Sequence, residues 1–366
     1  MWTEPASCAI GLVSQGQPRA PEAPEPKARF TMSLLDPGSK DDPTNAPAPP
    51  RWRRVLPWVV AVLLLGFLAT RTDRKAIGDA LASVNALVYL GFVAAFVGLS
   101  LVADTLATWK TYRKVAPSLP FRALLVVRGA SYLPSLLNYH VGQAYVTYLL
   151  SRAHGTPMAR VVGGTFLVYA TLLSDLIFTA LAGIPFAPPH APWAAGLVVP
   201  LAVGVVGYWG VLALRPRVFM RFEALAPLFE AGVGEHLRLM IWRLPHVTIL
   251  LAGYWANYWL FGIRPPLSAA LTSIPILLLV TAVPITPQGV GTRELVAIEL
   301  LAPFAPGADK SAPVLAAGVA WVAISTLCFA ATGVICARGA ARLLATGTGE
   351  RTAEVYRSKS SESPKI

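Results

Sequence analysis

Long apolar stretches, with basic residues concentrated in only some of the segments between them, are the feature that most constrains how this chain can fold. Four of them cover about residues 86–109, 161–186, 193–214 and 312–337. Each supplies the ~20 apolar residues with which a helix crosses the ~30 Å hydrocarbon core of a bilayer. Because 55% of the residues are hydrophobic and only 14% are charged, a soluble fold could not cover its apolar surface with polar groups. The sequence therefore predicts an all-α polytopic membrane protein.

Two shorter apolar stretches, residues 55–70 and 244–261, raise the expected number of full spans to about six. Two further stretches, about 121–150 and 265–301, are too polar and too often interrupted by proline and glycine to be plain spans. Non-helical backbone at membrane depth leaves polar groups without partners unless protein or a wet cavity encloses it. We therefore expect these two stretches to be re-entrant broken helices.

The order of these elements predicts an internal repeat. Residues 51–186 and 191–340 each contain two spans, a broken stretch and a further span. Since cytoplasmic loops carry an excess of Lys and Arg, the cytoplasmic segments are expected to be 51–54, 110–122, 215–243 and 338–365. The second half is then inverted relative to the first, and both termini are cytoplasmic in a protein of the cell membrane. Inverted repeats with broken helices are typical of secondary transporters, whose substrate site lies near the repeat interface.

The net charge of +12 fits a membrane better than a nucleic acid. The basic residues lie between apolar stretches and not on one soluble face, so no nucleic-acid partner is predicted. They would attract anionic lipid headgroups, which makes membrane lipids the predicted partners. Within the basic, amphipathic segment 215–243, we expect the polar face, including Arg243, to lie at the membrane surface. Asp104, near the inner end of its span, is expected to reach water.

The two ends of the chain are expected to be disordered, and the sequence contains no recognisable catalytic or metal-binding motif. The proline-rich residues 1–50 and the basic, serine-rich residues 341–366 bury too little apolar surface to offset chain entropy, so we expect two disordered tails around a transmembrane domain of residues 51–340. The three cysteines have no metal-ligand spacing. No dinucleotide, zinc-protease or nucleophile-elbow motif is present. The sequence predicts no metal, no cofactor and no catalytic residue.

The second broken stretch contains the clearest candidate site. Residues 284–291 hold Pro284, Pro287, Gly289 and Gly291, so no helix is expected to continue through them. The glycines are expected to allow turns that other residues cannot make. A site at such a break would combine exposed backbone groups with protein on all sides.

A new helix is expected to start at Thr292, with its free N–H groups and positive dipole end facing the break. Arg293 adds a full positive charge at the same place, and the combination suits an anionic group such as a lipid phosphate. Glu294 points about 100° further around the helix and is expected to pair with a residue on another span. The alternative is that Arg293 and Glu294 only hold the re-entrant hairpin.

Residues 284–294, which read PITPQGVGTRE, resemble the P-x-[ST]-P-G-G-x-G-x-x-E signature of the lysylphosphatidylglycerol synthase transmembrane, or flippase-like, family. Gln288 stands where the signature has the first glycine of its pair. The resemblance extends over about residues 55–340. It implies a polytopic fold with two re-entrant segments, and either lipid flipping or a membrane domain that serves lipid-linked transfer.

The same resemblance places a second motif in the first half of the chain. Residues 138–143, which read NYHVGQ, stand where the family pattern resembles P-x-R-x-G-E, so His140 replaces the basic residue and Gln143 the carboxylate. Asp175 fits the family's acidic position in the following span. His140 is open to a structural role or to a role as a proton carrier. Arg128 is open to binding a lipid phosphate or to snorkelling towards the interface.

The candidate substrate-binding residues share a position at or beside the two breaks; they are Arg293, Glu294, Gln288, Gly289, Gly291, Arg128, Asn138, His140, Gln143 and Asp175. The residues expected to make the breaks are Pro134, Gly142, Pro284 and Pro287. The predicted function is binding or translocation of a phospholipid, for example an anionic one, or of a lipid-linked glycan. Two alternatives stay open: a membrane subunit or scaffold for a separate lipid-modifying transferase, and a membrane-surface enzyme with Glu294 or Asp175 as its base.

Overall fold

Helices form all the secondary structure in the part of the chain that the structure describes. The structure is a computed structural model that describes residues 51–361 except 188, 283–285, 287 and 288, with the backbone alone for 51–55, 57, 58 and 344–361. The predictions for residues 1–50 and for Pro284, Pro287 and Gln288 therefore lie outside the described residues.

The helices, in chain order, are α1 (Arg51–Arg71), α2 (Arg74–Ala82), α3 (Ala86–Tyr112), α4 (Phe121–Ala130), α5 (Tyr132–Ser135), α6 (Tyr139–His154), α7 (Met158–Gly183), α8 (Trp193–Leu214), α9 (Arg217–Met220), α10 (Ala226–Leu260), α11 (Leu267–Ala282), α12 (Thr292–Leu301) and α13 (Ser311–Ser361). Short 3-10 turns follow α7 and α12 at Ile184–Phe186 and Ala302–Phe304. The backbone of α13 stays helical to Ser361, into the segment for which the sequence predicts disorder.

Four helices among the described residues are long and apolar enough to cross a membrane: α3, α7, α8 and Ser311–Leu343 of α13. The prediction of an all-helical protein with several membrane-spanning stretches is thereby confirmed. Val59–Arg71 of α1 and the whole of α11 are apolar but shorter. The count of six full spans and the inverted repeat stay predictions.

The helix ends follow local capping signals. The Asn85 side chain accepts hydrogen bonds from the backbone N–H groups of Leu87 and Val88, which starts α3. Asp309 does the same for Ser311 at the start of α13, and its second oxygen accepts from the backbone N–H of Asp73 at 2.8 Å. One carboxylate therefore caps α13 and ties it to the loop before α2.

Both broken stretches are interrupted within their predicted bounds, but Gly142, which we expected to make the first break, lies inside α6. In the first, α4 ends at Ala130, Pro134 lies in the single turn α5, and α6 begins at Tyr139. In the second, α11 ends at Ala282 and α12 begins at Thr292, so no single helix runs through the stretch. The helix before the second break is too short to cross the bilayer core. It has 16 residues, and at ~1.5 Å per residue α11 is shorter than the ~30 Å hydrocarbon core.

The centre of the molecule is built around α7, which packs against α10, α11, α3, α8 and α6. Half of its most apolar window is buried, against 17% for α8, so α7 is interior and α8 peripheral. The rings of Phe96, Tyr254 and Trp321 join α3, α10 and α13 in one aromatic contact. This packing surrounds two groups of buried charged side chains.

Candidate functional site

The first group of buried charges is centred on Asp104 of α3, and we call it the Asp104 cluster: Asp104, Arg128, Arg243 and His246. Arg128 of α4 donates from Nη2 to Asp104 Oδ2. On α10, Arg243 donates from Nη1 to Asp104 Oδ1 at 3.3 Å, and His246 Nδ1 lies 3.6 Å from the same oxygen. Thr108 donates its hydroxyl to that oxygen as well, at 3.2 Å. One carboxylate therefore holds side chains from three helices.

The Asp104 cluster has more donors than acceptors. Arg128 is 4% exposed and Arg243 is 0% exposed, so both guanidinium groups are inside the protein. Nε and Nη1 of Arg128 and Nη2 of Arg243 have no hydrogen-bond partner among the described residues. Burying a charge with unsatisfied donors is costly. These N–H groups therefore suit a site in which they donate to the oxygen atoms of an anion.

Unpartnered acceptors lie on neighbouring helices. Arg243 Nε donates to the hydroxyl of Thr171 at 3.2 Å, and Asp175 lies one turn further along the same face of α7. Asp175 is 4% exposed, and its Oδ2 has no partner within the described structure. On α6, Gln143 is equally buried, and its Oε1 is likewise unpartnered among those residues. Asp175 therefore adds an unpartnered acceptor one helical turn from the residue that Arg243 contacts.

Three predicted residues of the first break have structural contacts. The Asn138 side chain accepts from the backbone N–H of His140, which caps α6. His140 is exposed, and its Nδ1 lies 3.1 Å from the hydroxyl of Tyr169. At Gly142, a β-carbon would overlap the Ser135 hydroxyl and approach the backbone oxygen of Ser131 to 2.9 Å. Gly142 therefore permits the close approach of α5 and α6.

The second group of buried charges is the Arg293–Glu294 pair at the start of α12. Arg293 donates to Glu294 Oε1 from Nε at 3.0 Å and also from Nη2, which lies 3.4 Å from the backbone oxygen of Gly318 on α13. Glu294 Oε2 accepts from the backbone N–H of Gly291 at 2.7 Å, so the carboxylate closes a capping interaction. The expectation that Glu294 pairs with another span is wrong, because its partners are Arg293 of the same helix and the backbone N–H of Gly291 in the turn before it.

The turn before α12 depends on two glycines with positive φ. Gly289 has φ 72° and Gly291 has φ 86°, a region that other L-residues rarely adopt. At Gly291, a β-carbon would also come within 2.8 Å of the Leu64 side chain on α1. The predicted role of these glycines in the backbone turn is therefore seen in the described part of the break.

Sequence reasoning missed most of the Asp104 cluster. It placed Arg243 at the membrane surface and let Asp104 reach water, and both expectations are wrong, since both side chains are buried. Periodicity places Arg243 on a different face from Arg238, about 140° around the helix, but the sequence does not say which of the two faces is buried. His246 was missed as well, because the sequence does not show which face of α10 is buried.

Comparison with known protein families identifies one that matches most of the chain. Residues 54–333 match the family described as the lysylphosphatidylglycerol synthase TM region. The match covers both broken stretches, the Asp104 cluster and the Arg293–Glu294 pair. No curated protein matches the chain.

Proposed function

The chain belongs to the lysylphosphatidylglycerol synthase transmembrane family, and on that premise we propose that it binds the phosphate-bearing headgroup of a lipid inside the membrane and moves it between leaflets. The substrate is a phospholipid or a lipid-linked molecule. The protein is proposed to lie in the cell membrane with both termini cytoplasmic. Arg128 and Arg243 of the Asp104 cluster are the proposed headgroup ligands.

One observation carries this proposal: within the described residues, two buried arginines share a single contacting carboxylate and keep unpartnered N–H groups. A guanidinium group presents its donors in a planar fork that fits phosphate oxygens. Ionisable side chains within membrane helices are expensive and commonly mark a substrate path. An incoming phosphate would supply acceptors to Arg128 and Arg243 without displacing Asp104.

The acceptors nearby support a headgroup that also carries donors. Asp175 Oδ2 and Gln143 Oε1 are buried and unpartnered among the described residues. An ammonium or hydroxyl group on the headgroup would donate to Asp175, whereas fully ionised phosphate oxygens can only accept. A lipid with both an anionic phosphate and a donor group is therefore the proposed substrate class.

The Arg293–Glu294 pair has the scaffold role in this proposal. Its described hydrogen bonds run within α12, to the turn before it and to α13. A phosphate at Arg293 would have to compete with Oε1 of Glu294, whose other oxygen, Oε2, caps the helix. The pair therefore fits the alternative that the sequence left open, in which it holds the hairpin.

The test is lipid binding and flipping in proteoliposomes with Arg128→Gln and Arg243→Gln. Loss of one charge-assisted contact costs about 1.5–3 kcal/mol, so each variant should bind the lipid ~10- to 100-fold more weakly and flip it correspondingly less. Arg160→Gln is the matched control, because Arg160 pairs with Glu230 in a partly exposed bridge. Size-exclusion profiles and melting midpoints show whether each variant is folded.

Two outcomes would contradict the proposal. If folded Arg128→Gln and Arg243→Gln proteins both bind and flip lipid as the parent does, the Asp104 cluster is not the site. If the parent binds lipid but never flips it, even in proteoliposomes of varied composition, the scaffold alternative for a separate transferase is favoured.

A further inference from the structure

A basic pocket lies between the last turn of α3 and the adjoining part of α10, outside the Asp104 cluster. Its volume is about 230 Å³, and its walls include Lys110, Arg113, Lys114, Glu235, Arg238 and Trp242. This is smaller than the ~300–1,000 Å³ of pockets that enclose drug-sized ligands. The space suits a compact group such as the phosphate of a lipid headgroup.

The pocket carries an excess of positive charge. Its one carboxylate, Glu235, is shared: Lys114 Nζ lies 2.9 Å from Oε1 and Arg238 Nη1 lies 3.9 Å from Oε2. Lys110 and Arg113 make no ion pair with any described residue. Four cations against one carboxylate leave a net charge of about +3 in the pocket.

Aromatic rings hold the two cations that lack a carboxylate. The Lys110 ammonium lies 4.1 Å from the ring centroid of Trp242 and 5.1 Å from that of Trp109. The Arg113 guanidinium lies 5.0 Å from the Trp109 centroid, and its Nε donates to the backbone oxygen of Pro117 at 3.4 Å. These contacts fix the cations in place but leave their charge uncompensated.

The pocket lies at the depth where headgroups are expected. The apolar span α3 ends at Tyr112, and Trp109 and Trp242 are the residue type that gathers at membrane–water interfaces. Lys110 follows Asp104 by six residues, which is ~9 Å along the helix. The pocket and the Asp104 cluster therefore share α3 and α10, with the pocket nearer the membrane surface.

We propose that this pocket binds the phosphate of an anionic phospholipid headgroup at the membrane surface, in a site separate from the Asp104 cluster. Lys110 and Arg113 bind the phosphate directly, and Trp242 packs against the headgroup. Glu235 limits the affinity by neutralising Lys114 and Arg238. Binding here requires no translocation, so the site is expected even if the protein moves no lipid.

The experiment is native mass spectrometry of the purified full-length protein in detergent, titrated with phosphatidylglycerol or phosphatidylcholine. The double variant Lys110→Gln/Arg113→Gln should bind phosphatidylglycerol on the order of 10- to 100-fold more weakly. Its affinity for phosphatidylcholine should change little. Glu235→Gln should act in the opposite direction and bind phosphatidylglycerol several-fold more tightly, because it removes the competing carboxylate. Arg122→Gln, an exposed cation outside the pocket, is the matched control.

Competition with inorganic phosphate distinguishes the source of the anion. Phosphatidylglycerol should displace phosphate, and phosphate should bind far more weakly, because it lacks the glycerol and the acyl chains. If phosphate binds as tightly as the lipid, the pocket is a free-anion site and the lipid assignment is wrong. Unchanged affinity in both the folded double variant and Glu235→Gln overturns the site itself. If the double variant does not fold, Lys110→Gln and Glu235→Gln decide by their opposite signs.

Discussion

Arg243 and Asp104 meet inside the protein, with Nη1 of the arginine 3.3 Å from Oδ1 of the carboxylate, although 139 positions separate them in the chain. The contact fixes α10 against α3. Trp242 and Leu244, which flank Arg243, are exposed, so α10 directs this one charge inward while its neighbours face outward. Such an inward charge needs its partner, because an unpaired charge removed from bulk water is costly.

Removal of the shared carboxylate should destabilise the protein strongly. Asp104→Asn keeps the size of the side chain but leaves Arg128 and Arg243 buried without a counter-charge. Breaking a buried pair in this way costs about 3–5 kcal/mol. The measurement is thermal or denaturant unfolding of the purified protein in one detergent. Glu230→Gln, which breaks a partly exposed pair, should cost about 1 kcal/mol or less. Equal stability losses for the two variants would contradict the buried-pair interpretation.

On α12, two glutamates offer a matched comparison. Glu294→Gln removes the charge that holds Arg293 and weakens the bond from the Gly291 N–H. Glu299 is exposed on the same helix. We expect Glu294→Gln to lower the unfolding free energy by about 3 kcal/mol or more and Glu299→Gln to change it by under ~0.5 kcal/mol. Similar unfolding midpoints for the two variants would show that the buried pair contributes no stability.

The sequence predicts the membrane class, the two interrupted stretches and the start of α12, because these features follow from local composition; it misplaces Gly142, which lies inside α6. The prolines and glycines within residues 284–291 predict both the second break and the start of a new helix at Thr292, and they lie within a few positions of each other. The Asp104 cluster could not be found that way, since its members come from α3, α4 and α10. Which face of α10 is inward depends on packing against α3 and α7, and the apolar sequence around Arg243 does not mark that face.

The turn before α12 should reject side chains. Gly291→Ala forces an L-residue to φ 86° and places its β-carbon within 2.8 Å of Leu64. Gly207→Ala on α8 meets no described atom within 4 Å and should be neutral or slightly stabilising. We expect Gly291→Ala to lower the melting midpoint and the yield of folded protein, measured beside Gly207→Ala. If the two variants behave alike, the backbone of the turn differs from the one described.

Topology can be tested directly. The basic residues at 51–54, at the end of α3 and after the apolar part of α13 predict that both termini are cytoplasmic. A reporter that is active only in the cytoplasm should work when fused after Ile366, and one that requires export should not. Fusions within the loop between α7 and α8 should give the reverse pattern. The same activity at both positions would contradict the predicted number of crossings between them.

His236 predicts a loss of stability in acid. Its Nδ1 lies 2.7 Å from the backbone oxygen of Gly232, which can only accept, so Nδ1 carries the proton and Nε2 accepts from the Tyr208 hydroxyl at 2.8 Å. Burial lowers the pKa of His236 in the folded protein, and the weaker effects of the Gly232 bond and of Glu235 oppose that shift. The histidine precedes the apolar stretch of α10.

The sign follows from the two states of the chain. The unfolded histidine has a pKa of about 6.5, and the folded one lies below it, so the unfolded state takes up the proton first as the pH falls. Stability from neutral His236 is therefore complete above about pH 6.5 and declines below it, until the pH reaches the folded pKa. Melting midpoints from pH 8 to pH 5 should fall more for the parent than for His236→Gln. His190→Gln, which changes an exposed histidine, should keep the parent's dependence, and a parent-like fall in His236→Gln would assign the acid sensitivity to another group.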